Sequence, residues 1–288
     1  MNYFLPESLR LIMLTTEILR RTYFMTLQRD PSGSPRLVGD NTSEYADLRI
    51  GSAGNSSGGV FLLGGDDTID GSTNNDLIFG NEGEDIIRGN FGNDSLFGGK
   101  GKDVIIGGEG NDSINGGQDG DVLTGDSGND ILLGGKGNDI LISGNGNDTL
   151  VGGLGRDFVG GLGDNNSIKI GGSNVYVLQT EPRVTDVNNA DIIVNFRPGL
   201  DKIGLADGLR VNDIVLENLT NQSLTIQLEF PQAAGSLAPP QLSQIFKPTS
   251  FVTSGTAIKV RNSGEVIGFV DSVTPAQLQN SIISVQGF

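Results

Sequence analysis

The chain reads as an all-β repeat fold followed by a β-rich C-terminal region, and three observations say so. An aspartate recurs every nine residues from Asp67 to Asp157 without a miss. An apolar residue stands two positions after each of them. Glycine reaches 45 of 288 residues, about twice its usual share, and gathers between roughly residues 50 and 175. A glycine excess with a fixed period marks a repeat array rather than a linker.

The elements follow in order. In the N-terminal segment, residues 1–61, Leu5, Leu9, Ile12, Met13 and Thr16 lie at helical spacing and suit a short amphipathic helix, with a linker after it. The apolar run Leu9 to Leu14 contains Arg10, and Glu17, Arg20 and Arg21 follow. It is therefore neither the core of a cleavable secretory signal nor a membrane span. Met25 is an alternative start.

From Leu62 the chain falls into rows of nine, such as Gly98-Gly99-Lys100-Gly101-Lys102-Asp103-Val104-Ile105-Ile106. Column six is Asp67, Asp76, Asp85, Asp94, Asp103, Asp112, Asp121, Asp130, Asp139, Asp148 and Asp157. Column eight runs from Ile69 to Val159 and holds only Ile, Leu and Val. Columns one, two and four are mostly glycine, which reaches positive φ cheaply and lets carbonyl oxygens converge on a small centre. Columns seven to nine are often β-branched and apolar, which predicts a three-residue strand with column eight facing inward. A polar linker would have no reason to keep column eight apolar.

A turn and a strand at this period resemble the repeats-in-toxin (RTX), or hemolysin-type calcium-binding, nonapeptide, G-G-x-G-x-D-x-U-x with U a large apolar residue. The resemblance covers residues 62–160. It implies a right-handed parallel β-roll over residues 62–178, two nonapeptides to a turn, so that residues 18 apart stack at about 4.8 Å. It also implies several Ca2+ ions between successive loops on the same side. Carboxylates stacked about 4.8 Å apart repel by several kcal/mol at an effective dielectric near ~20, so the metal-free roll should be unstable. Calcium takes roughly six to eight oxygens, which carboxylates and loop carbonyls supply, and binding then becomes folding.

Loop quality grades the sites. Rows at Gly80, Gly89, Gly98, Gly107, Gly125, Gly134 and Gly152 keep glycine in columns one and four. The row at Gly116 has Asp119 in column four, and Ser143 replaces a first-column glycine; both should bend the loop and keep the ligand. Rows leading to Asp67 and Asp76 lack most of the pattern. Beyond Val159, Ile168 and Val177 still fall on column eight while column six becomes Asn166 and Val175. That predicts about one more turn with fading metal sites, with Asp164 as a last ligand in shifted register.

In residues 179–288 ordinary strand patterns take over, among them Leu224 to Phe230, Ala257 to Val260, Val266 to Val270 and Ile282 to Val285. Val175 to Leu178 and Asp191 to Phe196 read the same way, and Pro231 to Pro248 reads as a loop. Asp191 to Leu205 resembles the strand-turn-strand that follows such repeats in secreted family members. It implies a cap over the open end of the roll and a C-terminal signal for type I secretion machinery.

Composition excludes whole classes. Net charge is −16, from 35 acids and 19 bases, which disfavours nucleic acid and anionic membrane as partners and favours cations. Cysteine is absent, and so is histidine, the commonest general base and zinc ligand. Without it Gly54-Asn55-Ser56-Ser57-Gly58 and Gly125-Asp126-Ser127-Gly128 cannot build a serine triad, and H-E-x-x-H is impossible. Glycine-rich fragments of G-x-G-x-x-G lack a strand-to-helix context. A pore former would need a long apolar domain before Leu62. Ice binding would need a regular ladder, and column three, from Gly64 and Thr73 to Asn145 and Leu154, is irregular. What remains is a non-catalytic calcium-binding protein, secreted or at the cell surface, that folds outside the cell. A calcium-dependent adhesin, a surface-layer component or the C-terminal module of a split toxin or enzyme is the alternative. The extracellular target is not written in the sequence.

Overall fold

The computed structural model describes residues 28–29, 37–39, 42–43, 45–48, 59–160, 172–180, 184–226 and 249–286. The N-terminal helix, Gly54 to Gly58, Asp164, Asn166, Ile168 and the proline loop lie outside these residues. Among the described residues two sheets of eleven strands each face one another across a central hydrophobic cluster.

The nine-residue rows build this directly. Alternate rows go to alternate sheets: Leu77–Glu82, Ser95–Lys100, Ser113–Gln118, Ile131–Lys136 and Thr149–Leu154 in one, Ile86–Phe91, Val104–Glu109, Val122–Ser127, Ile140–Asn145 and Phe158–Gly160 in the other. Neighbours within a sheet are parallel and paired 18 residues apart, as in Ile114↔Leu132 and Leu123↔Leu141. Full strands run six residues, from column seven to column three of the next row, rather than three. Pairing skips column one, as between Asn115↔Leu133 and Gly117↔Gly135, so the chain bends there and stays extended beyond it.

Column eight is the inward side. From Ile69 to Leu150 every one of these side chains has no exposed surface, and they form a single column of Ile and Leu between the sheets. Column seven depends on the sheet. Ile86, Val104, Val122 and Ile140 are buried in a second cluster with Val187, Ala190, Ala257, Val266 and Phe269, whereas Ser113 and Ile131 on the other sheet are exposed. Column nine of that other sheet carries Phe61, Phe79 and Phe97 stacked at 4.5 and 4.8 Å.

Past Val159 the roll continues in a shifted frame. Tyr176, not Val177, pairs with the column-eight Leu150, and Val177 pairs with the column-nine Val151. The strand-turn-strand at Asp191 to Leu205 proves to be a further turn. Ile192–Val194 extends one sheet from Phe158–Gly160, and Lys202–Leu205 extends the other from Val175–Leu178. An antiparallel sheet of Ile214–Ile226, Thr249–Val260 and Val266–Asp271 then caps the stack, its last strand pairing parallel with Ile192–Val194. Ile282–Ser284 closes the other sheet against Lys202–Leu205.

Candidate metal centre

Each column-six aspartate is tied to the next one on its own edge. The backbone N–H of Asp85 donates to Oδ1 of Asp103 at 2.8 Å, and that of Asp103 to Oδ1 of Asp121 at 2.8 Å. Asp67 to Asp85, Asp121 to Asp139 and Asp139 to Asp157 repeat the bond along this edge. On the other edge it links Asp76, Asp94, Asp112, Asp130 and Asp148 in turn, at 2.7–3.0 Å. One oxygen of each carboxylate from Asp85 to Asp157 is thereby spent on holding the turns in register.

The other oxygen is the one that matters chemically. Oδ2 of Asp85, Asp94, Asp103, Asp112, Asp121, Asp130, Asp139 and Asp148 is buried and accepts no hydrogen bond. A buried anionic oxygen without a donor costs several kcal/mol unless something positive meets it. Column one shows where that something fits. A Cβ built on Gly80, Gly89, Gly98, Gly107, Gly116, Gly125, Gly134 or Gly152 would come within 2.1–2.4 Å of Oδ2 in its own row. At the first seven it would also lie 2.4–2.9 Å from the column-one carbonyl oxygen two rows on, such as that of Gly98 above Gly80. The donors are oxygens alone, a carboxylate and backbone carbonyls, the set that suits a hard divalent cation such as calcium. Among the described residues no three acidic side chains converge, so a cation held here would have to draw on the carbonyls as well.

The glycines divide their work between columns. Column one is needed for space. Columns two and four are needed for conformation: Gly99 has φ 123° and Gly101 φ 111°, and the same columns place Asn81 at 79°, Asp126 at 67° and Asp119 at 73°. The left-handed region costs most residues about 1–2 kcal/mol, and Asn and Asp tolerate it best.

Without a cation, burial is the largest influence on these carboxyl groups and pushes them up. Asp85, Asp94 and Asp130 rise to about 7, Asp103 to about 8 and Asp121 to about 9. The ladder N–H opposes the rise and nearby carboxylates add to it. Asp112, Asp139 and Asp148 are raised for the same first reason.

Irregular rows behave individually. Gly116 keeps the ordinary arrangement toward Asp121 because Asp119 adopts the turn's positive φ. Ser143 still presents its carbonyl beside Gly125, while its Oγ accepts from Asn174 Nδ2 at 3.1 Å. Asp76 differs: Oδ2 accepts the Ser72 N–H at 2.6 Å and Oδ1 the Ser72 hydroxyl at 3.1 Å. Asp67 and Asp157 are buried members of the ladder, and Asp157 donates its N–H to Oδ1 of Asp191 at 3.0 Å.

Three rungs escaped the nine-residue frame. Asn174 follows Asp148, Asp201 follows Asn174, and Asp191 follows Asp157, each through the same N–H to Oδ1 bond. Their signal was the column triplet itself, in Asp191-Ile192-Ile193 and Asp201-Lys202-Ile203. A second ladder was also missed. Column five on one edge is Asn75, Asn93, Asn111, Asn129 and Asn147, each Oδ1 accepting the N–H of the residue a turn later. Asparagine there repeats at 18 residues, not nine.

The sequence matches the family described as RTX calcium-binding nonapeptide repeat (4 copies) over residues 63–96, 88–123 and 124–159. No curated protein matches the chain. Among solved structures it is similar to the extracellular lipase LipA from Serratia marcescens, at 17% identity, over 85% of this chain and 45% of that one, with a TM-score of 0.32. The chain thus spans under half of that protein's length. Residues 63–159 carry RTX calcium-binding nonapeptide repeats, and their strands form a parallel β-roll.

Proposed function

We propose that the chain is a non-catalytic calcium module that is exported unfolded and folds on meeting millimolar Ca2+ outside the cell or at its surface. The observation that carries this reading is the set of eight buried Oδ2 atoms with no hydrogen-bond donor. They form two rows of acid to which no side chain donates among the described residues. Calcium at each rung would supply the missing charge and bind Asp Oδ2 together with the adjacent column-one carbonyl. Sites of the extracellular kind, with dissociation constants of about 10⁻⁴ to 10⁻³ M, would stay empty in a low-calcium cytosol.

Residues 179–288 would close the roll and carry the signal for type I secretion machinery. The continuity of both sheets into Ile192–Val194 and Lys202–Leu205 supports the closing role. Absence of histidine and cysteine from the whole chain supports a non-catalytic one. Among the described residues no helix is long and apolar enough to cross a membrane.

Small-angle scattering during a calcium titration tests the reading. The radius of gyration should contract from an expanded chain to a compact particle between roughly 0.1 and 10 mM Ca2+. A particle already compact in EDTA would refute it.

A further inference from the structure

The aspartate ladder that starts at Asp76 has two ends, and the protein's own donors close both. Along it, Asp76, Asp94, Asp112, Asp130, Asp148 and Asn174 each give a backbone N–H to Oδ1 of the next rung, ending at Asp201. At Asp94, Asp112, Asp130 and Asp148 the second oxygen is buried with no donor. At Asp76 that oxygen takes the N–H of Ser72.

At Asp201 the closure is cationic. Its Oδ2 accepts the Arg197 N–H at 2.8 Å and Nε at 3.1 Å, and its Oδ1 accepts Nη2 at 2.7 Å. The same Nη2 donates to the carbonyl of Gly172 in the preceding loop at 2.9 Å. The guanidinium thus contacts a rung carboxylate and a loop carbonyl of the neighbouring turn. Those are the two oxygen types that converge beside each column-one glycine at the interior rungs.

We propose that Arg197 is a resident cation that fills the last rung of this ladder in place of a metal ion. It fixes where calcium loading stops and holds the terminal turn together in the absence of calcium. Arginine suits the task because its charge is permanent and its planar fork bonds a carboxylate at two points. Asp201 is fully buried and Arg197 half-buried, with 29% of its side chain exposed, so the pair is screened less than a surface bridge would be. A bound ion leaves as its free concentration falls, whereas a side chain does not. The turn holding Val175–Leu178 and Lys202–Leu205 therefore has its carboxylate matched at every calcium concentration.

This inference rests on the reading that calcium neutralises the interior rungs, and amide exchange on the full chain separates the two. The amides to follow are those of Asn174 and Arg197, which donate to Asp201, against those of Asp94, Asp112 and Asp130, which donate to interior rungs. In EDTA the interior amides should lose protection while those of Asn174 and Arg197 keep it. R197M should abolish that residual protection in EDTA, and R197K, which keeps the charge without the fork, should retain part of it. Loss of protection at Asn174 and Arg197 together with the interior amides in the unmodified chain would overturn the proposal, even if R197M fails to fold. So would an R197M chain that keeps Asn174 protected in EDTA. Interior amides that stay protected in EDTA would instead refute the calcium reading, and the R197M arm alone would then decide the role of the arginine.

Discussion

At the scale of single residues, the aspartates from Asp85 to Asp139 divide two jobs between two oxygens. Oδ1 sets the register, and Oδ2 is the oxygen that in the proposed reading meets a cation, beside a glycine with no side chain. Gly98→Ala would put a methyl group about where the ion and Asp103 Oδ2 meet, at 2.1 Å from that oxygen. Isothermal titration should then show one ion fewer per chain, whereas Gly264→Ala, with nothing within 4 Å of its Cβ, should leave the count unchanged. Protonation gives a second expectation. Burial raises these carboxyl groups to between about 7 and about 9 in the metal-free fold, above the roughly 3.9 of an unfolded aspartate. The metal-free fold therefore binds more protons than the unfolded chain. Its stability is greatest below about pH 4 and declines as pH rises through about 7 to 9. Circular dichroism in EDTA should accordingly show more β structure at pH 5 than at pH 8.5.

At the scale of the strand and turn, the nonapeptide made most of the element legible. A strictly apolar column eight pointed to the core, and all of its members from Ile69 to Leu150 are fully buried. Leu123→Ala should cost about 2–5 kcal/mol in urea unfolding at saturating calcium, while Ile131→Ala, at an exposed column-seven place, should stay within about 0.5 kcal/mol. Other features were hidden because they follow the turn of 18 residues rather than the row of nine. From Ile86 to Thr149 column seven alternates between buried Val or Ile on one sheet and Ser, Ile or Thr on the other, and an unbroken run of column-five asparagines lies on one edge alone. A nine-residue frame averages these away. The frame also fails after Val159, where 26 residues separate the paired Thr149 and Val175 instead of 18. Asn174, Asp191 and Asp201 were therefore legible only as a triplet, aspartate or asparagine followed two places later by a large inward side chain. Strand length was underestimated because columns one to three, read as turn, continue the extended backbone past the column-one bend.

At the scale of the whole molecule, one hydrophobic column and two rows of acid oppose each other. The column favours stacking of the turns and ionised carboxylates resist it, and in the proposed reading that repulsion holds the metal-free chain open. In that reading calcium removes the resistance, and because the rungs are bonded one to the next, uptake should be cooperative. Replacing Asp112, Asp130 and Asp148 together, on one edge, should reduce that cooperativity far more than replacing Asp186, Asp207 and Asp213, which lie outside the ladder. The most direct test is far-UV circular dichroism of the intact chain at pH 7.5, first in EDTA and then with calcium added to about 10 mM, well above extracellular-type dissociation constants. The account predicts a coil-like spectrum that becomes a β spectrum and returns to coil when EDTA is restored. A β spectrum in EDTA that calcium leaves unchanged would contradict it.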